Sequence, residues 1–331
     1  VGRWLRTLLV LTGLALVGYL VAQIGPGAIW SSFVTLGWWL PVVLTLPYAI
    51  AVVVDTVAWR LLLPTPVPFL LLVRARLGGE AVSLATPTLT VGGDPLKAYL
   101  LRPHLPLGEG FASVIADKTT VVAGQVLFLL VGLVGAYLAA APSGRLLAVM
   151  TGLLIVEVLA TGGFVAVQAS GALGGGGRLL GRVVHRMGLA AGERMQRGMG
   201  DLDRALAALY RERRRRLVAS AIAHTLGWAT GALEMYLVLA LLGTPTPLGI
   251  ALIIEAFASG VKFVSFMVPA SLGALEGGYV VFFDAYGLGA AAGLSFVLVR
   301  RLREIAWAVV GFLVLGVSGR ATMRAPAAPP A

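Results

Sequence analysis

A chain of 331 residues that is 58% hydrophobic and 12% charged, with 43 glycines, cannot bury its apolar surface in one aqueous core, so lipid must serve as part of its solvent. The absence of cysteine excludes disulfides, thiolate metal sites and cysteine nucleophiles. The net charge of +11 does not signal nucleic-acid binding, because one loop with eleven arginines against four acids supplies seven of those charges.

Arg3 and Arg6 precede an apolar stretch at about 7–24. It has a signal peptide's charged start and apolar middle but no small-residue cleavage site, and reads as a retained helix. No ionisable residue occurs between Arg6 and Asp55, and 119–144 and 235–254 are equally uncharged. Each run supplies the roughly 20 apolar residues that cross about 30 Å of hydrocarbon. Spans are expected at about 7–24, 38–62, 111–139 and 146–168. Between the second and third, 67–93 is expected to enter and leave on one side as a re-entrant hairpin, because Arg60, Arg74, Arg76, Lys97 and Arg102 flank it.

The loop 169–216 holds the eleven arginines, ends in Arg213 to Arg216, and is expected to be cytoplasmic under the positive-inside bias. Met195, Met199, Leu202, Leu206 and Leu209 recur at spacings of four and three, which puts an apolar stripe on one helix face with arginines opposite. Such a helix is expected to lie on anionic inner-leaflet lipids over 178–216, or to be a solvated linker that only sets topology. Beyond it, 217–242 crosses outward, 248–275 forms a second hairpin, and 291–316 returns to a tail at 317–331 that reads as disordered. A second count, with 248–268 as a full span and 276–287 as a short one, leaves the C-terminus on the same side, and charge does not choose between the two.

The expected fold class is therefore an all-α polytopic membrane protein, a single membrane domain over 1–316. It has about six full transmembrane helices plus two opposed re-entrant hairpins in an inverted repeat, and both termini are cytoplasmic. The repeats run over about 38–139 and 217–316. Pro64-Thr65-Pro66 and Pro245-Thr246-Pro247 mark the same turn in each. A shift of 182 residues lays Val82 on Val264, Ser83 on Ser265, Pro87 on Pro269, Asp94 on Glu276, Ser113 on Ser295 and Lys118 on Arg300. Charge assigns the two turns to opposite sides of the membrane.

A charge inside hydrocarbon costs from about 2.5 to more than 10 kcal/mol, so each should be paired or should face water. The first half carries Asp55, Arg60, Arg74, Arg76, Glu80, Asp94, Lys97, Asp117 and Lys118; the second carries Glu255, Lys262, Glu276, Arg300, Arg301, Arg303 and Glu304. Thr86-Pro87-Thr88 before Gly92-Gly93-Asp94, and Pro269-Ala270-Ser271-Leu272-Gly273 before Glu276-Gly277-Gly278, are breaks where free backbone groups and half-helix ends can hold an anionic headgroup. The nearby lysines and arginines then supply the counter-charge. Arg76 with Glu80, and Arg300 with Glu304, sit four apart and fit either mutual neutralisation or a binding role. Arg60 and Arg102 read as interfacial. The expected substrate-binding set is Glu80, Gly92, Gly93, Asp94, Lys97, Asp117, Lys118, Lys262, Glu276, Arg300, Arg303 and Glu304, with no cofactor. The repeat is expected to bring Asp94, Glu276, Lys118 and Arg300 together near its pseudo-two-fold axis. His104, His185 and His224 show no metal-ligand spacing and no hydrolytic triad. Gly174 to Gly177 lacks the flanking strand and the ending of a phosphate loop, so it reads as a linker. No ATP-binding motif occurs.

The run Gly79-Glu80-Ala81-Val82 through Val91-Gly92-Gly93-Asp94-Pro95-Leu96-Lys97-Ala98, then Ala112-Ser113-Val114-Ile115-Ala116-Asp117-Lys118-Thr119, resembles the lysylphosphatidylglycerol synthase transmembrane-region family. Val268-Pro269 through Leu272-Gly273-Ala274-Leu275-Glu276-Gly277-Gly278 is similar to its second motif. The likeness covers about 5–316 and, within the family, is similar to the hopanoid-biosynthesis-associated branch. The resemblance implies a flippase-like protein of the bacterial cytoplasmic membrane that moves a polar-headed lipid between leaflets. Its motif positions would be Glu80, Asp94, Lys97, Asp117, Lys118, Glu276 and Arg300. The two-domain synthases carry a soluble aminoacyl-transfer domain after the membrane region, and this chain ends about fifteen residues past its last span, so lipid aminoacylation is not expected. Pro269-Ala270-Ser271 is also less glycine-rich than the family's usual hairpin start. The expected activity is non-enzymatic lipid transport through a wet, charged cavity between the hairpins. The alternatives are an accessory scaffold of a lipid-synthesis complex, working through the arginine-rich loop, and an intramembrane enzyme acting on a polyprenyl-phosphate lipid.

Overall fold

A computed structural model of the chain describes Gly27, 34–85, 92–139, 143–170, 191–266, Ser271 and 273–321. The span expected at 7–24, both hairpin tips at 86–91 and 267–270, the side chains of Met195 and Met199, and the tail beyond 321 lie outside this description.

Ten α-helices occur among the described residues: α1 Leu40–Leu62, α2 Phe69–Ala85, α3 Asp94–Leu100, α4 Leu107–Leu138, α5 Gly144–Ala169, α6 Ala191–Glu212, α7 Arg214–Leu241, α8 Leu248–Val264, α9 Ala274–Ala285 and α10 Ala290–Ala321. Proline sets several boundaries. Leu63 turns extended ahead of Pro64 and stops α1, while Pro106 and Pro247 stand at the N-caps of α4 and α8. Ser143 caps α5 by accepting from the Leu146 amide at 3.2 Å.

Among the described residues, three helices are both long and apolar enough to cross a membrane: Val34–Leu62, which contains α1, then α4 and α5. The 28-residue α7 and the 32-residue α10 have the length and also carry charges. These five coincide with the expected spans at 38–62, 111–139, 146–168, 217–242 and 291–316. The 17-residue helices α2 and α8 rise about 26 Å each. Each is followed by a break and a shorter helix, α3 of seven residues or α9 of twelve.

The long contact between α1 and α7 is the centre of the bundle. The two run antiparallel: Leu40 and Val43 share a core with Val238 and Leu239, while at the other end Arg213, just before α7, donates to the Leu63 carbonyl at 2.9 Å. The two Pro-Thr-Pro turns therefore lie at opposite ends of the bundle. Helix α10 crosses α2, where Gly311 abuts the Leu77 carbonyl and Gly78 lies under Leu315. Helix α4 crosses α8, where Gly132 abuts Ala256. A β-carbon at these glycines would overlap its neighbour, so small residues set how closely the helices approach.

The larger core collects Phe257, Tyr279, Phe282, Phe283 and Phe296 from α8, α9 and α10. A second surrounds Trp59 and joins α1, α2, α3 and α4. Helix α5 buries only Leu146, Met150, Glu157 and Gln168, and turns Ile155, Val156, Val158, Leu159 and Phe164 outward. That apolar exterior suits lipid.

Helix α6 departs from expectation. Leu202, Leu206 and Leu209 do not face outward toward a membrane surface; they pack on Leu62, Ala112 and Ala116 of α1 and α4. Burying the stripe against protein serves the same hydrophobic demand that lipid would have met. Tyr210 donates to Gln168 on α5 at 3.0 Å, and burial raises its hydroxyl above the ordinary value. Arg204, Arg211, Arg214, Arg215 and Arg216 remain exposed.

Candidate functional site

Gly92 and Gly93 open α3 because the chain must pass against α2 there. A β-carbon on Gly93 would overlap the Gly79 carbonyl, and one on Gly79 would strike the Lys97 side chain. The Gly93 amide donates to Ser83 Oγ at 3.0 Å, which fixes the start of the helix. Asp94 then sits in the first turn, 3.1 Å from Lys97 Nζ and 3.6 Å from Lys118 Nζ on α4. Asp94 and Lys97 are buried, whereas the Lys118 side chain is 39% exposed and so is the cation within reach of a ligand. Asp94 thus holds both lysines. Beside it lies a cavity of about 370 Å³ lined by Gly92, Asp94, Pro95, Lys118 and the apolar side chains Phe111, Val114, Ile115 and Phe164. The cavity opens between α3, α4 and α5, not between the two expected hairpins.

Deeper between α1, α2, α4 and α7, Arg76 donates to both oxygens of Asp117, at 3.0 and 3.2 Å, and to the Asp55 carbonyl at 2.9 Å. Glu80 is 3.5 Å away and accepts from Tyr48 Oη at 2.6 Å. His224 lies between two acids: Nδ1 is 2.7 Å from Asp55 and Nε2 is 3.1 Å from Asp117. An imidazolium donates to both carboxylates, whereas a neutral ring turns one lone pair toward an acid. Gly227 gives Asp55 room against α7, as Gly124 gives His224 room against α4.

The second half holds a matching network. Arg300 on α10 donates to Glu255 on α8 at 2.7 and 2.9 Å and to Glu234 on α7 at 3.0 Å, and it also bonds Tyr279 on α9. Arg303 bonds Glu234 and lies 4.9 Å over the Tyr48 ring. Arg301 pairs with Glu276 at 2.7 Å and with Glu304 at 2.8 Å. Lys262 lies 5.8 Å over Trp228. Tyr48 thus joins the two networks, with Glu80 at its hydroxyl and Arg303 on its face. A run of paired charges crosses the bundle from Asp117 to Glu255. Pairing of this kind lets charges persist at membrane depth.

A family model described as the lysylphosphatidylglycerol synthase TM region matches residues 4–311. The chain belongs to this family. It is 24% identical over 233 residues to a UPF0104 membrane protein from Methanothermobacter thermautotrophicus strain Delta H, a match covering 68% of each chain. No solved structure matches it. The chain is accordingly a multi-pass membrane protein.

In this family member the residues expected to bind substrate divide among the groups above. Gly92, Asp94 and Lys118 line the cavity and Lys97 pairs with Asp94 behind it, while Gly93 allows the close approach of α3 to α2. Glu80 and Asp117 belong to the Arg76 network, Arg300 and Arg303 to the Glu234 network, and Glu276 and Glu304 to Arg301; Lys262 sits on Trp228. Three expectations change. Arg76 is held by Asp117 across helices more closely than by Glu80 along its own. Arg300 pairs with Glu234 and Glu255, and Glu304 goes to Arg301 instead. Asp94 pairs with Lys118, and Glu276 with Arg301. Arg301, not Arg300, thus stands opposite Glu276. Sequence reasoning missed Tyr48, His224, Glu234 and Glu157. The last three are ionisable groups inside expected spans, and the penalty that singled out Asp117 applied to them equally.

Proposed function

We propose that this protein moves a polar-headed lipid between leaflets without altering it chemically. The headgroup is held at the Lys118 and Asp94 cavity while the tails stay in the bilayer. The observation that carries this reading is the cavity itself: the partly exposed Lys118 ammonium lies directly against an apolar wall of Phe111, Val114, Ile115 and Phe164. An anionic headgroup on an acyl or isoprenoid tail matches both halves of that surface. Membership of a lysylphosphatidylglycerol synthase TM region family supports a lipid substrate, and the reading extends to an anionic or isoprenoid lipid handled by a hopanoid-associated branch of that family.

Alternating access would use an inverted repeat. Helices α2 and α8 are both 17 residues long, offset by 179, and α4 and α10 are both 32 residues long, offset by 183. These offsets set Asp55 with Glu234, Arg76 with Glu255, Asp117 with Arg300 and Lys118 with Arg301. The ion pair between second and fourth helices thus recurs with its charges exchanged. The antiparallel course of α1 and α7 supports opposite orientations for the halves, with α2–α3 and α8–α9 as the two re-entrant elements. By the positive-inside bias, the arginines around α6 support a cytoplasmic side for that end of the bundle and for both termini, in a bacterial inner membrane.

A second reading, an accessory scaffold, draws on the exposed arginines of α6, whose apolar face is already occupied by protein. One experiment separates the readings. In proteoliposomes with a leaflet-specific label, tested over anionic, zwitterionic and isoprenoid lipids, wild type moves an anionic or isoprenoid lipid unchanged in mass. Loss of one charge-assisted contact of about 1.5–3 kcal/mol slows Lys118→Gln about 10- to 100-fold. An unchanged rate in Lys118→Gln refutes the headgroup site. A cellular requirement for 178–216 but not for Lys118 favours the scaffold, and a lipid of altered mass indicates an enzyme.

A further inference from the structure

Glu157 lies midway along α5, a helix whose neighbouring side chains Ile155, Val156, Val158 and Leu159 face outward, yet it is itself fully buried. Its Oε1 accepts from Gln125 Nε2 on α4 at 3.0 Å, and the same amide nitrogen donates to the Ser259 carbonyl on α8 at 2.6 Å. Gln125 thereby ties three helices at one point. With its amide facing two acceptors, its orientation is settled. The other carboxyl oxygen, Oε2, is buried without a hydrogen-bond partner among the described residues, as is the Thr161 hydroxyl one turn further along α5.

No cation among the described residues forms an ion pair with Glu157. On α4, Asp117 is engaged by Arg76 and His224, and Lys118 by Asp94; Glu109 and Tyr137 lie near the helix ends. On α8, Glu255 is held by Arg300, and Lys262 lies over Trp228. On α6, Tyr210 bonds Gln168, eleven residues along α5 from Glu157. Arg145 stands at the far start of α5. An ionised carboxylate in such surroundings carries a penalty of several kcal/mol, with only the Gln125 amide bond to set against it. A hard divalent cation would need about six oxygens, and Oε2 with one hydroxyl falls far short. A single proton on Oε2 removes the charge.

We propose that Glu157 is a proton-binding site, and that proton uptake and release there is coupled to opening and closing of the α4–α5–α8 junction. The carboxylate takes a proton from water when the junction is open, forming one O–H bond, and returns it to water at the next opening. Phe164, on the same helix, lines the lipid cavity, so movement of α5 reaches both places. The coupling, though not the proton site, rests on the transport reading.

Infrared difference spectroscopy of the full chain in liposomes, taken through a pH titration, tests the site. Wild type shows the C=O stretch of a protonated carboxyl, and Glu157→Gln loses it; the same band in the variant overturns the site. Should Glu157→Gln fail to fold, Gln125→Leu serves, because losing the amide contact displaces the band and its titration midpoint, and an unmoved band overturns the assignment. In the labelled-lipid assay a proton gradient changes the wild-type rate and leaves Glu157→Gln unaffected. A gradient response kept in that variant overturns the coupling. The band without movement of any lipid sinks the transport reading and leaves the proton site standing.

Discussion

Replacing Arg300 by Met should unfold the second half of the bundle more readily than any change at the exposed charges. The guanidinium is the only cation paired with Glu255 among the described residues, at 2.7 Å, and it shares Glu234 with Arg303. Glu234 is fully buried and Glu255 nearly so. Removing the cation strands a carboxylate where water does not reach, a loss of about 3–5 kcal/mol. At about 1.4 kcal/mol per tenfold, the folded-to-unfolded ratio falls about 100- to 4,000-fold. The chain's seven tryptophans make denaturation in mixed micelles readable by intrinsic fluorescence. Arg300→Met combined with Glu255→Gln should recover about half of the loss, because the stranded charge is gone and Tyr279 keeps an acceptor. The reasoning fails if Arg300→Met alone costs less than about 1 kcal/mol, the range of an exposed pair.

Gly93→Ala should force α3 away from α2, since its β-carbon meets the Gly79 carbonyl, at about 1–3 kcal/mol. Gly162→Ala, with nothing within 4 Å, should instead stabilise α5 by up to about 1 kcal/mol; equal effects in fluorescence melts would remove the close-packing argument. Leu206→Ala should loosen α6 by about 2–5 kcal/mol and speed tryptic cleavage around Arg211 to Arg216, and unchanged cleavage would mean that the stripe is not held by α1 and α4. Single cysteines at Pro66 and Pro247, in a chain that has none, should label from opposite sides of a sealed vesicle. Labelling from the same side would end the inverted arrangement.

The helical elements were legible because length and apolarity suffice to define them: α1, α4, α5, α7 and α10 fall where long apolar runs put them, although α10 carries Arg300, Arg301, Arg303 and Glu304 within its run. The candidate site was only half legible. Asp94, Lys97 and Lys118 come together as their motif implied, because a glycine pair and a short helix fix them locally. The networks were not legible as partnerships. A 182-residue shift sets Lys118 on Arg300 and Asp94 on Glu276, whereas Glu276 pairs with Arg301. One residue along a helix turns a side chain by about 100°, enough to change its neighbours altogether. Arg76 and Glu80 looked like a pair because they are four apart, yet geometry favours Asp117, 41 residues on.

What this sequence determined by itself is the solvent the chain lives in, its helices, and the short roster of charged groups that must be satisfied within it. These follow from local composition and the free energy of burying a charge. Which partner satisfies each charge was decided only by the tertiary structure. Helices far apart in sequence close on one another at glycines: α7 meets α1 and α4 at Gly227 and Gly124, which seats His224 between Asp55 and Asp117, and α8 meets α4 at Gly132, in the layer where Glu157 is buried without a cation among the described residues.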